Sequence, residues 1–294
     1  MKTPLRPLAA VTGILLAVAL TTACSTDSGS GSDPATGDAA GQDLTVSHVH
    51  GLGIDPADGQ LYVATHEGVV AVAGDGAARR VGDQADYMGF TVVGARTFLG
   101  SGHPEPGSAD PANRGLIEST DSGRTWKTRS LAGTTDFHAL KYAHDTVYGY
   151  DSTNGVLRVS ADRTTWDSRA ELAALDLAVS PGDPDLLLAT TESGVVRSTD
   201  GGRTFGDPSG TVMGFLSWPR EDVLYGVDGS GGLHRSDDGG VSWTASGTVP
   251  GGQPQALTAV DTDRVLAATQ DGVYESRDGG RTFTERLPVS GSDH

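Results

Sequence analysis

Histidine and methionine are scarce in this chain, with 8 His and 3 Met, and one of the Met residues is the initiator. Their spacing is informative for that reason. Four of them open short strings of small and apolar residues, His50-Gly-Leu-Gly, Met88-Gly-Phe-Thr, His138-Ala-Leu-Lys and Met213-Gly-Phe-Leu, and Leu175-Asp-Leu-Ala and Gln255-Ala-Leu-Thr have the same form. Imidazole with thioether is a soft to borderline ligand set that suits copper, Cu(I) above all, and serves Ca2+ or Mg2+ poorly. His48 precedes His50 by two residues and shares its side of an extended strand. His66 ends the next β-prone run, and His103 opens the loop Pro104 to Asn113. The candidate metal ligands are therefore His50, Met88, His138 and Met213, with His48, His66 and His103 beside them. Asp86 and Asp136 stand two residues before Met88 and His138, as His48 stands before His50, and either could orient an imidazole. The alternative role for the same residues is packing by the methionines, with hydrogen-bonded histidines around them.

Carboxylates offer a second chemistry. Glycoside hydrolysis needs two carboxyl groups about 5 to 9.5 Å apart. Asp86, Asp136, Glu67 and Glu105 could supply them, and nothing in their spacing selects a pair. In a chain with 38 acidic residues, surface or orienting roles are the plainer reading.

These residues need a scaffold, and the sequence supplies one by repetition. Ser119-Thr-Asp121-Ser-Gly123-Arg-Thr125-Trp126 recurs as Ser198 to Phe205, Ser236 to Trp243 and Ser276 to Phe283, with a shorter form at Ser160 to Trp166. The aspartates fall at 121, 162, 200, 238 and 278, in steps of 41, 38, 38 and 40. A period near 40 marks a solenoid or propeller. Ser and Asp side chains bond to nearby backbone amides, and Gly takes the positive φ of a tight turn. Around the box of the fourth repeat, Leu177 to Val179, Leu186 to Thr190, Val195 to Ser198 and Thr204 to Phe205 read as four short strands. Four strands per repeat, arranged radially, make a propeller blade. The expected fold is all-β, a β-propeller of six four-stranded blades over 44–290, its first blade carrying only Gly74-Asp75-Gly76 where a box would sit. Inner strands of a propeller line one channel, which would set the six leading residues His, Met, His, Leu, Met and Gln in a ring.

The repeated turn resembles the Asp-box, or BNR repeat, of sialidases and sortilin-type receptors. That resemblance implies that the boxes join the third and fourth strands on the face opposite the ligand site, which makes Asp121, Asp162, Asp200, Asp238 and Asp278 structural. Together with His48-Val-His-Gly-Leu-Gly53, Gly115 to Asp121 and Asp136-Phe-His-Ala-Leu140, the chain is similar to bacterial lipoproteins usually labelled glycosyl hydrolase or exo-α-sialidase-like. A sialidase would need three arginines to clamp a carboxylate, a Tyr with a Glu partner, and an Asp. Here no arginine begins an inner strand: Arg124, Arg203 and Arg281 lie in the boxes and Arg158, Arg197 and Arg235 in third strands. A protein-binding scaffold is a further reading of the resemblance, using the loop from His103 to Arg114 or the aromatics Tyr87, Phe137 and Trp218. The basic patch of photosystem-assembly propellers is absent.

The N-terminus sets location. Lys2 and Arg6 precede an apolar run from Leu8 to Leu20 that ends at Thr21-Thr22-Ala23-Cys24. The run is too short for a membrane-spanning helix, which needs about 20 residues, and reads as a secretion signal over 1–23. Cys24 is the chain's single cysteine, so no disulfide can form within it. The segment resembles a lipobox, departing from it at Thr21, which implies lipid attachment at Cys24 and an extracytoplasmic, membrane-anchored protein. Residues 24–43, rich in Ser, Gly and Asp, read as a flexible tether. Without Lys2 and Arg6 there remain 19 basic against 38 acidic residues, which disfavours nucleic acid as a partner. The expected partners are a metal ion or small extracellular ligand, and the membrane through the lipid.

Overall fold

Runs of Val, Leu, Ala and Thr too short for helices and bounded by Gly, Asp or Pro have strand chemistry. In the computed structural model, which describes residues 44–290, such runs form 23 strands, and no helix occurs among the described residues. The signal segment, Cys24 and the tether to residue 43 lie outside the described residues.

The strands make six antiparallel sheets, each built from one continuous stretch of chain with neighbours in sequence order. The first strands of the sheets are β1 (Val49–Ile54), β5 (Asp86–Gly94), β9 (Phe137–Ala143), β13 (Leu177–Val179), β16 (Phe215–Arg220) and β20 (Pro254–Ala259). Each touches the next in this order, and β20 touches β1, so they form a closed ring. The fold is a six-bladed β-propeller. Between blades the packing is apolar: Tyr62, Phe98 and Phe90 stack edge to face, and Val49, Leu52 and Val63 of blade 1 pack with Ala256, Leu266 and Leu287 of blade 6. The seam between first and last blades also carries a backbone bond from Ser290 N–H to Val46 O at 2.8 Å.

Five sheets have four strands. Blade 4 has three, ending with β14 (Leu187–Thr191) and β15 (Gly194–Ser198), which corrects the expectation of a strand at Thr204 to Phe205. Its outer edge is covered by an irregular segment through the bonds Gly206 N–H to Arg197 O and Ser209 N–H to Val195 O, both 2.9 Å. Pro208, lacking an N–H, interrupts the ladder there.

The repeated turns follow the third strands. In the fourth blade Ser198 Oγ donates to Asp200 Oδ1 at 2.8 Å and accepts from Gly202 N–H at 2.8 Å, while Thr204 N–H and Oγ1 donate to the two oxygens of Asp200 at 2.9 and 2.7 Å. The same bonds recur around Asp121, Asp238 and Asp278. Asp162 lacks the glycine-bearing form and keeps backbone bonds from Thr164 and Thr165 at 2.8 and 2.6 Å. Hydrogen bonds, first that from the Thr204 hydroxyl, hold the Asp200 carboxyl far below its usual range. Because the first and third strands of each antiparallel blade run in the same sense, these turns share one face with the ends of the inner strands. The starts of the inner strands open on the other face.

Candidate functional site

The starts of the inner strands are distorted in a regular way. Leu52 pairs with Val63, Phe90 with Gly100, Leu140 with Gly149, Leu177 with Ala189, Leu216 with Gly226 and Leu257 with Ala267. Two residues earlier stand His50, Met88, His138, Leu175, Gly214 and Gln255. In blades 1, 2, 3 and 6 this position lies in a β-bulge, between Val49 and Gly51, Asp86 and Gly89, Phe137 and Ala139, and Pro254 and Ala256. A bulge leaves one residue out of the ladder and re-aims its side chain, a device frequent beside functional sites. Blade 2 is held to its bulge by Gly102, whose φ is +137°, and where a Cβ would lie 2.1 Å from the carbonyl oxygen of Asp86.

The register corrects one expected ligand. Met213 lies three residues before Leu216, so Gly214 takes its place in the ring. The side chain is 2% exposed and packs with Ala178, Leu188, Val195, Leu216 and Leu224. It is a core residue between blades 4 and 5. Tyr87 and Phe137, two of the aromatics offered for a protein partner, are also fully buried.

Blade 1 brings three histidines together. The rings of His48, His50 and His66 have centroids 4.7, 5.2 and 4.5 Å apart. Asp86 of blade 2 reaches the same point: His66 Nδ1 lies 3.0 Å from Asp86 Oδ1 and 3.4 Å from His50 Nε2, and His50 Nε2 lies 3.9 Å from Asp86 Oδ1. The circle through three atoms at these separations has a radius of about 2.0 Å, the length of a bond from Zn2+ to an imidazole nitrogen or carboxylate oxygen. In the tautomers that turn both ring nitrogens inward as acceptors, their lone pairs and that of Asp86 Oδ1 face one point. A cation at the centre of that circle would be bound by all three.

Burial holds His50 neutral. Its side chain is 12% exposed, and desolvation, reinforced by His66, His48 and His138, lowers its pKa to about 2. Neutral imidazole is the form that binds metal. His66 is raised instead, by the Asp86 carboxylate at its Nδ1. His48 is fixed across the closing seam: Gln255 Oε1 accepts from Val49 N–H at 2.9 Å, and its amide nitrogen donates to His48 Nδ1 at 3.2 Å.

A second group lies one blade on. Asp136 Oδ2 meets His138 Nε2 at 2.8 Å and His103 Nε2 at 3.5 Å. Glu67, a candidate acid, accepts from Ser47 Oγ at 2.6 Å, and Glu105 accepts from Gln84 N–H at 2.6 Å. Two carboxylate oxygens at this mouth, Glu67 Oε2 and Asp136 Oδ1, are buried without a hydrogen-bond partner, while Asp86 Oδ1 meets the ring nitrogens of His66 and His50. Below the histidines the channel narrows to a cavity of about 40 Å3 bordered by His50, His138, Leu175 and Asp176. Lys141 Nζ closes on Asp176 Oδ1 at 2.9 Å, and Asp176 Oδ2 accepts from Leu216 N–H at 2.9 Å, tying blades 3, 4 and 5 across the channel.

No protein-family model matches the chain, and no curated protein matches it by sequence. Solved structures do match in shape. A gluconolactonase from Xanthomonas campestris superposes with a TM-score of 0.59 at 16% identity, over 76% of this chain and 84% of that one. A chain of a nidogen/laminin complex gives 0.59 at 11% identity, over 79% of this chain and 96% of that one. An ancestral GH74 enzyme gives 0.53 at 13% identity over 82% of this chain, which spans 38% of that enzyme's length. Such a spread of proteins on one scaffold establishes the propeller alone, since activity resides in the site and not in the fold.

Proposed function

We propose that the channel mouth binds a divalent transition metal through His50, His66 and Asp86, with His48 beside them, and that Cu2+ is the ion held most tightly. The observation that carries this reading is the convergence of two imidazole nitrogens and a carboxylate oxygen on one point about 2.0 Å from each. Copper ranks first for such a nitrogen and oxygen set by the general order of divalent affinities. Within the His and Met ring expected from sequence, Met213 packs in the core, and the reading proposed here rests on the harder nitrogen and oxygen donors of blades 1 and 2. Titration of tag-free full chain in detergent tests the reading. His66→Gln and Asp86→Asn are each expected to weaken Cu2+ by more than about 100-fold, since changes outside the metal's own ligands already cost 10 to 100-fold. Isotherms matching wild type would overturn it.

The acidic residues support the metal reading better than glycoside hydrolysis. Asp86 and Asp136 each sit against imidazoles, and Glu67 is bonded to Ser47. A metal-free turnover of an aryl glycoside abolished by Asp136→Asn would reverse that preference. The repeated Ser and Asp turns and their resemblance to Asp-boxes fit a scaffold role within either reading. We place the protein outside the cytoplasm, tethered by lipid at Cys24, on the N-terminal sequence alone. Cys24→Ser is expected to move it from the membrane to the soluble fraction, and an unchanged membrane fraction would exclude the anchor.

A further inference from the structure

The first site spans two blades. His50 leads the inner strand of blade 1, His66 follows the second strand of blade 1, and Asp86 opens the inner strand of blade 2. Rotation by one blade maps these positions onto Met88, His103 and Asp136. The mapping is borne by geometry as well as register, because His103 Nε2 turns to Asp136 Oδ2 at 3.5 Å just as His66 turns to Asp86.

Two further observations mark this copy as a site. His103 Nδ1 is 2.9 Å from the carbonyl oxygen of Ala112, and a carbonyl can only accept. In the neutral ring the proton therefore sits on Nδ1, and the Nε2 lone pair faces the carboxylate of Asp136. Asp136 is 4% exposed, and its Oδ1 has no hydrogen-bond partner. His138 Nε2, at 2.8 Å, can donate to Asp136 Oδ2 and hold the carboxylate in place from behind. The arrangement differs from the first site chiefly in its ligand chemistry, with the thioether of half-buried Met88 at the register position of the His50 imidazole.

We propose that Met88, His103 and Asp136, with Asp136 oriented by His138, form a second metal site that prefers a soft monovalent cation, Cu(I) or Ag+. Thioether with imidazole selects such ions, whereas the imidazole and carboxylate set one blade away suits a divalent ion. The two sites share the scaffold but not their ligands, so this site stands or falls apart from the Cu2+ site.

Separate titrations with Ag+ and Cu2+, on tag-free full chain in detergent, test the assignment. Met88→Leu conserves volume and His103→Gln replaces a half-exposed side chain, and thermal unfolding of each variant checks that the blades are intact. Both are expected to weaken Ag+ by at least about tenfold while leaving Cu2+ affinity within about twofold, and His66→Gln is expected to do the reverse. Failure of wild type to bind Ag+, or Ag+ isotherms unaltered by Met88→Leu and His103→Gln, would overturn the second site. Equal losses of Ag+ and Cu2+ in those variants would also overturn it, in favour of one shared site. A wild type that binds Ag+ in a Met88-dependent manner but ignores Cu2+ would remove the first reading and keep this one.

Discussion

Aspartates at the two faces of the propeller do opposite things. On the turn face, Asp200 receives bonds from Ser198, Arg203 N–H and both donors of Thr204, and each of its oxygens is satisfied. On the histidine face, Asp136 is withdrawn from solvent yet keeps one buried oxygen without a partner, and Asp86 Oδ1 meets only imidazole nitrogens. Buried acceptors left unpaired are costly, and a folded chain retains them where something outside the protein completes them. The channel mouths differ in the same way. The turn-face mouth is a cavity of about 680 Å3 bordered by apolar residues such as Ile54, Val92, Val179 and Trp218. The other is narrow and lined by imidazoles.

The contrast can be broken by substitution on either face. The largest expected effect is on binding: His66→Gln and Asp86→Asn should cost more than about 100-fold in Cu2+ affinity with little change in unfolding midpoint. On the turn face the expected pattern is inverted. Ser198 is 1% exposed and accepts from Gly202 N–H, so Ser198→Ala leaves a buried donor unpaired and should cost about 1 to 3 kcal/mol of stability with Cu2+ affinity unchanged. Chemical denaturation and metal titration of these three variants read both halves of the comparison.

A smaller effect concerns protons. His50 has a folded pKa lowered to about 2, far below that of the unfolded chain. Below about pH 6.5 the unfolded state takes a proton that the folded state refuses, so His50 contributes stability above that pH and loses it as pH falls. The slope from this one group is at most about 1.4 kcal/mol per pH unit. His66, whose pKa is raised, acts with opposite sign, stabilising below the unfolded value and losing that contribution as pH rises through its own. Denaturation of metal-free His50→Gln should therefore show a flatter pH dependence between 6.5 and about 4 than wild type. Parallel profiles would mean that His50 titrates in the folded state.

Much of the fold was legible because it is written in turn chemistry. The Ser and Asp strings recur in five of the six blades, and the strand count follows from the residues between them. The fourth strand of blade 4 was not, because the propensity of Thr204-Phe205 is local while Pro208 breaks the ladder four residues on. Site residues from blades 1 to 3 were legible as recurring His and Asp at one distance before an apolar residue. The same rule failed at Met213-Gly-Phe, which repeats Met88-Gly-Phe letter for letter. Only the pairing of Phe90 with Gly100 and of Leu216 with Gly226 distinguishes them, because the inner strand of blade 5 is displaced by one residue. The role of Gln255 was hidden for another reason: its bond to His48 spans 207 residues and exists only once the ring closes.

The most direct measurement is the electron paramagnetic resonance spectrum of one equivalent of Cu2+ on tag-free protein. Wild type is expected to show superhyperfine coupling to imidazole nitrogens, with one coupled nitrogen lost in His50→Gln and one in His66→Gln. Spectra indistinguishable among the three proteins would contradict a copper site built by His50, His66 and Asp86.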